Sequence, residues 1–195
     1  SSSIKNIVGV IENIKQDETR RNLYNISRIL KAFLFQRMTD MYGDIPYSEA
    51  GLGFINGSTS PVYDLQKDIY ADLLLELEDA AQKLDATAKN TVGDADIFYG
   101  GDVTKWKKFA YSEMLRLAMR MSKVDPASAK TWSEKAVRGG VMESNEDNAL
   151  CPHNAKGTNP VSNPVGLQLA IRVAGRYRLS ETFINFLKVT HDPRL

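Results

Sequence analysis

The chain has 195 residues, with 25 Lys and Arg against 24 Asp and Glu, a formal net charge of +1, 43% hydrophobic residues and 25% charged residues. These values are typical of an ordinary globular region, and they exclude disordered and collagen-like classes. Nucleic-acid binding normally uses several excess cations, so a charge near zero argues against a nucleic-acid partner. The apolar runs are a few residues long, well short of the roughly 20 residues that a membrane-spanning helix needs.

Apolar residues recur at helical spacing along most of the chain and predict a series of helices. The first has an apolar side formed by Ile7, Val10, Ile11 and Ile14. The second ends near Gly43 and has an apolar side formed by Leu23, Ile26, Leu30, Phe33, Leu34, Met38 and Met41. The third follows Pro61 and buries Ile69, Tyr70, Leu73, Leu74, Leu77, Ala80 and Leu84, with Glu76, Glu78 and Lys83 facing outward.

Residues 102 to 138 predict a helical hairpin. Its first helix starts at Asp102 or Thr104 and presents Trp106, Ala110, Met114, Leu117 and Met121. Asp125 followed by Pro126 predicts the start of the second helix, which Gly139 and Gly140 stop. Because the connection is short, the two helices must be antiparallel neighbours. The spacing of Trp106, Phe109 and Ala110 resembles the first helix of a tetratricopeptide unit.

A last helix is predicted from the N-cap Ser180, with Leu179 and Ile184 in the positions of a hydrophobic staple. Three long connections separate the helices, at 43 to 62, 85 to 101 and 140 to 178. The alternation of apolar and polar residues over 167 to 173 fits either an extended strand or a helical turn. The prediction is therefore an all-α fold of helical hairpins with long irregular loops, including an irregular segment at 140–178.

Catalytic and metal sites find little support in the sequence. Asp94 and Asp96 are spaced like a carboxylate pair, but Asp is a common turn residue, and the loop predicts both to be solvated. Cys151, His153 and His191 are too few and too dispersed for a zinc site. We therefore expect no catalytic residue, no metal and no cofactor.

Aromatic residues in the long loops are better candidates for a binding site, because a sugar ring stacks on a flat apolar face beside polar groups. The candidate ligand-binding residues are Tyr47, Phe54, Asn56 and Tyr63 in and beside the first loop and Tyr99 in the second. Packing against the core is the competing interpretation for each. Trp106 and Trp132 fall on helical faces that we expect to be buried.

One segment carries a specific resemblance. Residues 35 to 50, FQRMTDMYGDIPYSEA, resemble the signature of SusD/RagB-type lipoproteins of Bacteroidetes, in which a long helix ends in Tyr-Gly-Asp-Ile-Pro-Tyr-Ser-Glu-Ala. Further similar pieces follow in the same order, at 63–70, 99–110, 115–120 and 192–194. Together they extend from about Ile29 to the end of the chain.

The resemblance implies a mostly α-helical fold with tetratricopeptide-like helix pairs. It also implies a non-catalytic lipoprotein on the outer membrane at the cell surface, held there by a lipid anchor. Such proteins cover a SusC-like TonB-dependent transporter and capture a nutrient, most often an oligosaccharide. Cys151 lies in mid-chain and is not the expected anchor. We therefore expect residues 1–195 to be a single helical region from a longer protein.

Two other functions remain open from the sequence. The chain could be a helical scaffold that binds only a protein partner such as the transporter subunit. It could also be an α-helical glycosidase, which requires a buried acid beside a second carboxylate.

Overall fold

The computed structural model describes residues 2–57, 59–89, 92–153 and 180–193. These residues form α-helices and loops without a β-strand, and only one isolated antiparallel bridge joins two extended residues, Ile45 and Asp64. The helices are α1 (Ser2–Ile14), α2 (Arg21–Tyr42), α3 (Gly53–Asn56), α4 (Gln66–Lys83), α5 (Val103–Arg120), α6 (Pro126–Gly139) and α7 (Glu181–Val189). The predicted all-α fold is confirmed.

Helices α2 and α4 run antiparallel along their whole length. Near the start of α2, Asn22 Nδ2 donates to the carbonyl of Asp85, just beyond the end of α4, at 2.8 Å. At the other end, Gln66 Nε2 donates to the carbonyl of Thr39 at 2.6 Å. Polar contacts at both ends therefore fix how far one helix is displaced along the other.

Helix α5 completes a bundle with α2 and α4. Phe33 of α2 meets Phe109 of α5 edge to face, with ring centroids 5.7 Å apart. Arg120 at the end of α5 lies 3.2 Å from the Tyr70 hydroxyl at the start of α4. Helix α6 then packs back on α5, since Gly139 at its end lies against the Tyr111 ring. Successive helices thus alternate in direction, as in tetratricopeptide-like pairs.

The core of the bundle is formed by side chains that α2, α4 and α5 turn toward one another. Its largest fully buried apolar members are Phe35, Ile29, Ile69, Leu73, Leu74, Leu77, Trp106, Met114 and Leu117. The seven members from α4 and α5 are positions that the helical spacing predicted. In α2 the prediction was wrong for most of the face, because Ile29 and Phe35 are buried, whereas the predicted Leu23, Leu30, Phe33, Leu34 and Met38 are only partly buried. Met41, predicted on the apolar side of α2, is instead 65% exposed, because it lies in the last turn of that helix.

Most predicted helix boundaries are confirmed. Gly43 follows α2 with φ of 74°, and its amide donates to the carbonyl of Thr39. Asp102 caps α5, Asp125 caps α6 with Pro126 behind it, and Ser180 caps α7 through the amide of Phe183. Each cap accepts from an otherwise unpaired backbone amide of the first turn.

Two predicted helix faces besides that of α2 need correction. In α1 the buried side chains are Ile4, Val8, Ile11 and Ile14, whereas Val10 is 39% exposed. The two apolar stripes of α1 overlap, and packing selects the one that includes Ile4 and Val8. Glu76 and Glu78 do not simply face outward either, since they pair with basic residues of α2 and α6.

Arg28 of α2 makes that first pair, donating from Nε and Nη2 to the two carboxylate oxygens of Glu76 at 3.0 and 2.8 Å. Asp79 lies 2.7 Å from the Nη1 of the same guanidinium. Lys135 of α6 pairs with Glu78 at 3.0 Å. Helix α4 is therefore joined to its neighbours by ion pairs as well as by apolar packing.

The chain divides into two compact units, Ser1–Leu150 and Cys151–Leu195. In the first unit, residues 140–150 carry only a short 3-10 turn at Asn145–Asp147. In the second unit, α7 has Leu187 as its buried residue. The predicted alternation at 167 to 173 and the staple residue Leu179 lie outside the described residues. The single region 1–195 stays a prediction.

Candidate functional site

After α2 ends at Tyr42, the second half of the signature segment forms a loop that returns to the start of α4, and Asp64 closes it. The Asp64 carboxylate accepts from the amides of Tyr47 and Ser48, both at 2.9 Å, and from the Ser48 hydroxyl at 2.9 Å. The Asp64 amide donates to the carbonyl of Ile45 at 3.0 Å. The hydrogen bonds from Ser48 and Tyr47 hold the pKa of Asp64 below its usual value.

Two further acidic residues of the segment are used in the same way. Asp44 Oδ1 accepts from the amide of Gln66 at 2.8 Å, at the first residue of α4. Glu49 Oε2 accepts from the amide of Val62 at 3.1 Å. The segment recognised in the sequence therefore has a structural task, which is to fasten the loop between α2 and α4.

Tyr47, the first candidate residue, is buried in this arrangement. Its ring is 8% exposed and meets Phe35 edge to face at 4.8 Å. Its hydroxyl donates to Asp72 Oδ2, and Lys31 Nζ lies 5.3 Å from the ring centroid. Burial raises the pKa of Tyr47 far above its ordinary value, and the hydrogen-bonded Asp72 carboxylate adds to the effect. The ring and the hydroxyl of Tyr47 therefore contact other parts of the protein.

A polar pocket of about 330 Å³ lies beside the Tyr47 hydroxyl. It is lined by Lys31, Tyr47, Ser48, Asp64, Asp68, Ile69 and Asp72. Such a lining offers carboxylates, hydroxyls and one ammonium group, which are hydrogen-bonding partners for a hydroxyl-rich ligand.

Phe54, Asn56 and Tyr63 lie on the surface of the same loop region. Phe54 is 52% exposed and Tyr63 is 73% exposed, while Asn56 is exposed at the end of α3. Lys5 Nζ of α1 lies 5.8 Å from the Phe54 ring centroid. These are the candidate residues whose side chains a ligand can reach.

An apolar cavity of about 460 Å³ opens next to Phe54. Its lining comes from α1, α2 and the loop: Ile4, Lys5, Phe35, Met38, Pro46, Ala50, Gly51, Gly53, Phe54 and Pro61. The exposed ring and the cavity together form a concave apolar surface with Lys5 at its edge.

Tyr99 contacts other elements. Its hydroxyl donates to the carbonyl of Asp147 at 2.7 Å, and its ring meets Trp106 edge to face at 5.3 Å. Burial raises the pKa of Tyr99 to about 12, with the Asp147 and Asp96 carboxylates adding to it. The structure therefore places Tyr99 against α5 and the 3-10 turn, while the other four candidates lie in the loop between α2 and α4.

The prediction for Asp96 was wrong. Asp94 is exposed, but Asp96 is only 9% exposed and accepts from the indole Nε1 of Trp106 at 2.6 Å. It also accepts from the amides of Gly101 at 2.9 Å and Phe98 at 3.0 Å. Asp96 thus fastens the loop before α5, a role that turn propensity alone does not reveal.

Trp106 is buried as predicted, at 1% exposure. Trp132 is half-buried and packs against the core, with Lys135 Nζ 4.1 Å from its ring centroid. Cys151 is exposed with a free thiol. Among the described residues, no three His, Cys, Asp or Glu side chains are grouped to hold a metal ion, and no helix combines the length and apolarity needed to cross a membrane.

Some exposed apolar side chains in this region were not among the predicted site residues. Tyr42 at the end of α2 is 72% exposed, and Ile55 and Val62 are 52% and 55% exposed. Tyr42 is the last residue of α2, and its position directly before the helix-terminating Gly43 can be recognised from the sequence.

Comparison with solved structures adds to this geometry. A chitin-binding protein is 38% identical with a TM-score of 0.81, over 98% of this chain and 39% of its own. A chitin-binding SusD homolog from Flavobacterium johnsoniae is 33% identical with a TM-score of 0.79, over 97% of this chain and 39% of its own. A SusD homolog from Bacteroides uniformis is 34% identical with a TM-score of 0.70, over 87% of this chain and 33% of its own.

The chain thus spans about two fifths of the length of these relatives or less. No curated protein matches it. The family model described as SusD-like, "starch-binding associating with outer membrane", matches residues 1–195. The all-α bundle, the signature segment that closes the loop before α4 and this match lead to one conclusion: the chain belongs to the SusD-like family.

Proposed function

We propose that this chain is the helical part of a non-catalytic oligosaccharide-binding protein at the cell surface. In this proposal the complete protein is held in the outer membrane by a lipid anchor and covers a SusC-like TonB-dependent transporter, to which it delivers captured glycan. The observation that carries the proposal is the match of the whole chain to a family described as starch-binding and associating with the outer membrane.

Two relatives support a carbohydrate as the ligand. Both are named as chitin-binding, and the similarity covers 98% and 97% of this chain. Since they share only the fold and about a third of the residues, the ligand of this protein is a proposal about class. We therefore propose an oligosaccharide, with chitin fragments and starch fragments as the first two candidates to test.

The exposed side of the loop between α2 and α4 is the proposed contact surface. Tyr63, with a 73% exposed ring, is available for stacking on a sugar, and so is Phe54 at the edge of the apolar cavity. Asn56 adds an exposed amide, which can donate and accept hydrogen bonds. In this proposal Tyr47 and Tyr99 act by supporting the loops, because their rings and hydroxyls are engaged within the protein.

Calorimetric titration of the complete protein with chitin and malto-oligosaccharides tests the proposal, with the chain of 195 residues measured in parallel. We expect one series to release heat and Tyr63→Ala to weaken binding about tenfold, as for a lost contact of about 1.4 kcal/mol. Tyr63→Phe keeps the ring and should bind like the original protein. Val124→Ala, at an 84% exposed position between α5 and α6, serves as the control.

Other outcomes would favour the remaining functions. Capture of the transporter without heat from any oligosaccharide would favour a scaffold that binds only protein. Release of new reducing ends during long incubation would favour a glycosidase. Binding by the complete protein alone would place the sugar site outside these 195 residues.

A further inference from the structure

Two buried side-chain oxygen atoms in the described part of the chain have no hydrogen-bond partner. They are Gln36 Oε1 on α2 and Glu113 Oε1 on α5, and their residues are 3% and 4% exposed. Buried acceptors without a partner are uncommon in folded proteins and each calls for a physical explanation. Both belong to the helix bundle and lie outside the loop surface proposed for glycan.

The orientation of the Gln36 amide is fixed by its neighbour Asp40. Gln36 Nε2 donates to Asp40 Oδ2, and the same carboxylate accepts from the Tyr70 hydroxyl and lies 3.2 Å from Arg120 Nε. Because an ionised carboxylate only accepts, Gln36 must present its NH₂ group to Asp40. Its carbonyl oxygen is then left for another partner.

Contacts between α2 and α5 lie on either side of Gln36 and Glu113. Phe33 and Phe109 touch at 5.7 Å between ring centroids, and Gln36 and Glu113 each lie about one helical turn further along their own helix. Further along, Asp40 of α2 lies 3.2 Å from Arg120 Nε of α5. Gln36 and Glu113 therefore lie between two contacts of α2 with α5, on the same stretch of the interface.

An ionised Glu113 would leave two buried acceptors without a donor on this stretch of the interface, whereas a protonated Glu113 supplies one. We propose that Glu113 is a protonated carboxyl group whose Oε1–H donates to Gln36 Oε1, so that a pH-sensitive hydrogen bond joins α2 to α5. A single hydrogen bond then gives both orphan atoms a partner. Deprotonation would release this proton to solvent and leave a carboxylate facing a carbonyl.

The charges around Glu113 oppose one another. Arg116 Nη1 lies 3.3 Å from Glu113 Oε2, but its side chain is 57% exposed, so water weakens the attraction. Burial raises the pKa of Glu113; Arg116 and Arg37 lower it, and Asp40 raises it further. The net direction is upward, which agrees with a carboxyl group that keeps its proton.

The other helices packed here bring ionisable groups that already have partners. From α4, the Tyr70 hydroxyl contacts Asp40 and Arg120. From α6, Lys135 pairs with Glu78 at 3.0 Å. These contacts engage the groups with partners other than Glu113.

The sign of the pH dependence follows from the direction of the shift. A carboxyl whose pKa is higher in the folded than in the unfolded state contributes stability that is fully present below the unfolded value, about 4.3 for Glu. This contribution is lost as the pH rises through the folded value. Between the two values the folding equilibrium constant falls about tenfold per pH unit.

Urea unfolding of the chain and of Glu113→Gln between pH 4 and pH 9 tests the proposal. The glutamine keeps a donor for Gln36 Oε1 and has no proton to lose. We expect Glu113→Gln to lack the wild-type loss of stability with rising pH, so that the ratio of the two folding constants changes about tenfold per pH unit within the window. Glu134→Gln, at an exposed position of α6, should keep the wild-type profile.

A direct measurement covers the case in which Glu113→Gln does not fold. The side-chain carboxyl resonances of the wild-type chain are followed by NMR against pH, and Glu113 is expected to titrate above the other glutamates. An ordinary titration of Glu113, or identical pH profiles for the wild type and Glu113→Gln, would overturn the proposal.

Discussion

Replacing Asp96 with alanine should destabilise the bundle strongly. Asp96→Ala removes the acceptor of the Trp106 indole at 2.6 Å and of the Gly101 amide at 2.9 Å, two donors that are buried with it. A buried donor left without a partner costs about 1–3 kcal/mol, so the two together cost about 2–6 kcal/mol. Against a usual total of about 5–15 kcal/mol, this is a large fraction of the stability.

Asp94→Ala is the matched control, because the same substitution two residues earlier removes an exposed carboxylate. We expect its free energy of unfolding to stay within about 0.5 kcal/mol of the wild type. Urea unfolding followed by tryptophan fluorescence measures both variants, and Trp106 reports directly on the lost contact. If Asp96→Ala unfolds at the same urea concentration as Asp94→Ala, the reasoning about the Asp96 hydrogen bonds is wrong.

Three further predictions use the same unfolding assay. Gly139→Ala should destabilise the chain by about 1–3 kcal/mol, because its methyl group would lie 2.3–2.5 Å from Tyr111 ring atoms; unchanged stability would contradict this packing. Gly9→Ala, inside α1 and with only a 3.4 Å contact to accommodate, should stabilise by about 0.5–1 kcal/mol, and a loss would count against the reasoning. Asp64→Asn should be less stable than the wild type at neutral pH, because it loses hydrogen bonds from Ser48. Since the pKa of Asp64 is lowered in the folded state, this difference in the free energy of unfolding should shrink as the pH falls below about 4, where protonation of Asp64 removes its contribution to stability. A difference that stays constant with pH would argue against it.

Much of the fold follows from short-range patterns. Asp102, Asp125 and Ser180 mark helix starts through contacts made within three residues, so the sequence is sufficient to find them. Asp96 was misread because its decisive partner, Trp106, is ten residues away and approaches only when α5 packs on the loop. Turn propensity carries no information about that approach.

The face of α1 was ambiguous for a similar reason. Ile4 and Val8 alternate around the helix with Ile7 and Val10, and only packing in the folded chain decides which stripe is covered. The criterion of an aromatic residue in a loop selected both buried residues, such as Tyr47, and exposed residues, such as Tyr63. Burial of an individual loop residue depends on long-range contacts, which a local pattern does not contain.

The way the loop between α2 and α4 is fastened has a practical consequence for engineering. The side chains of Asp44, Ser48 and Asp64 make the hydrogen bonds that close the loop. Phe54 and Tyr63 are exposed and take no part in these hydrogen bonds. The exposed positions can therefore be randomised in a library without removing the hydrogen bonds that hold the loop. The chain offers a helical frame on which new recognition surfaces can be selected while its folding is left to other residues.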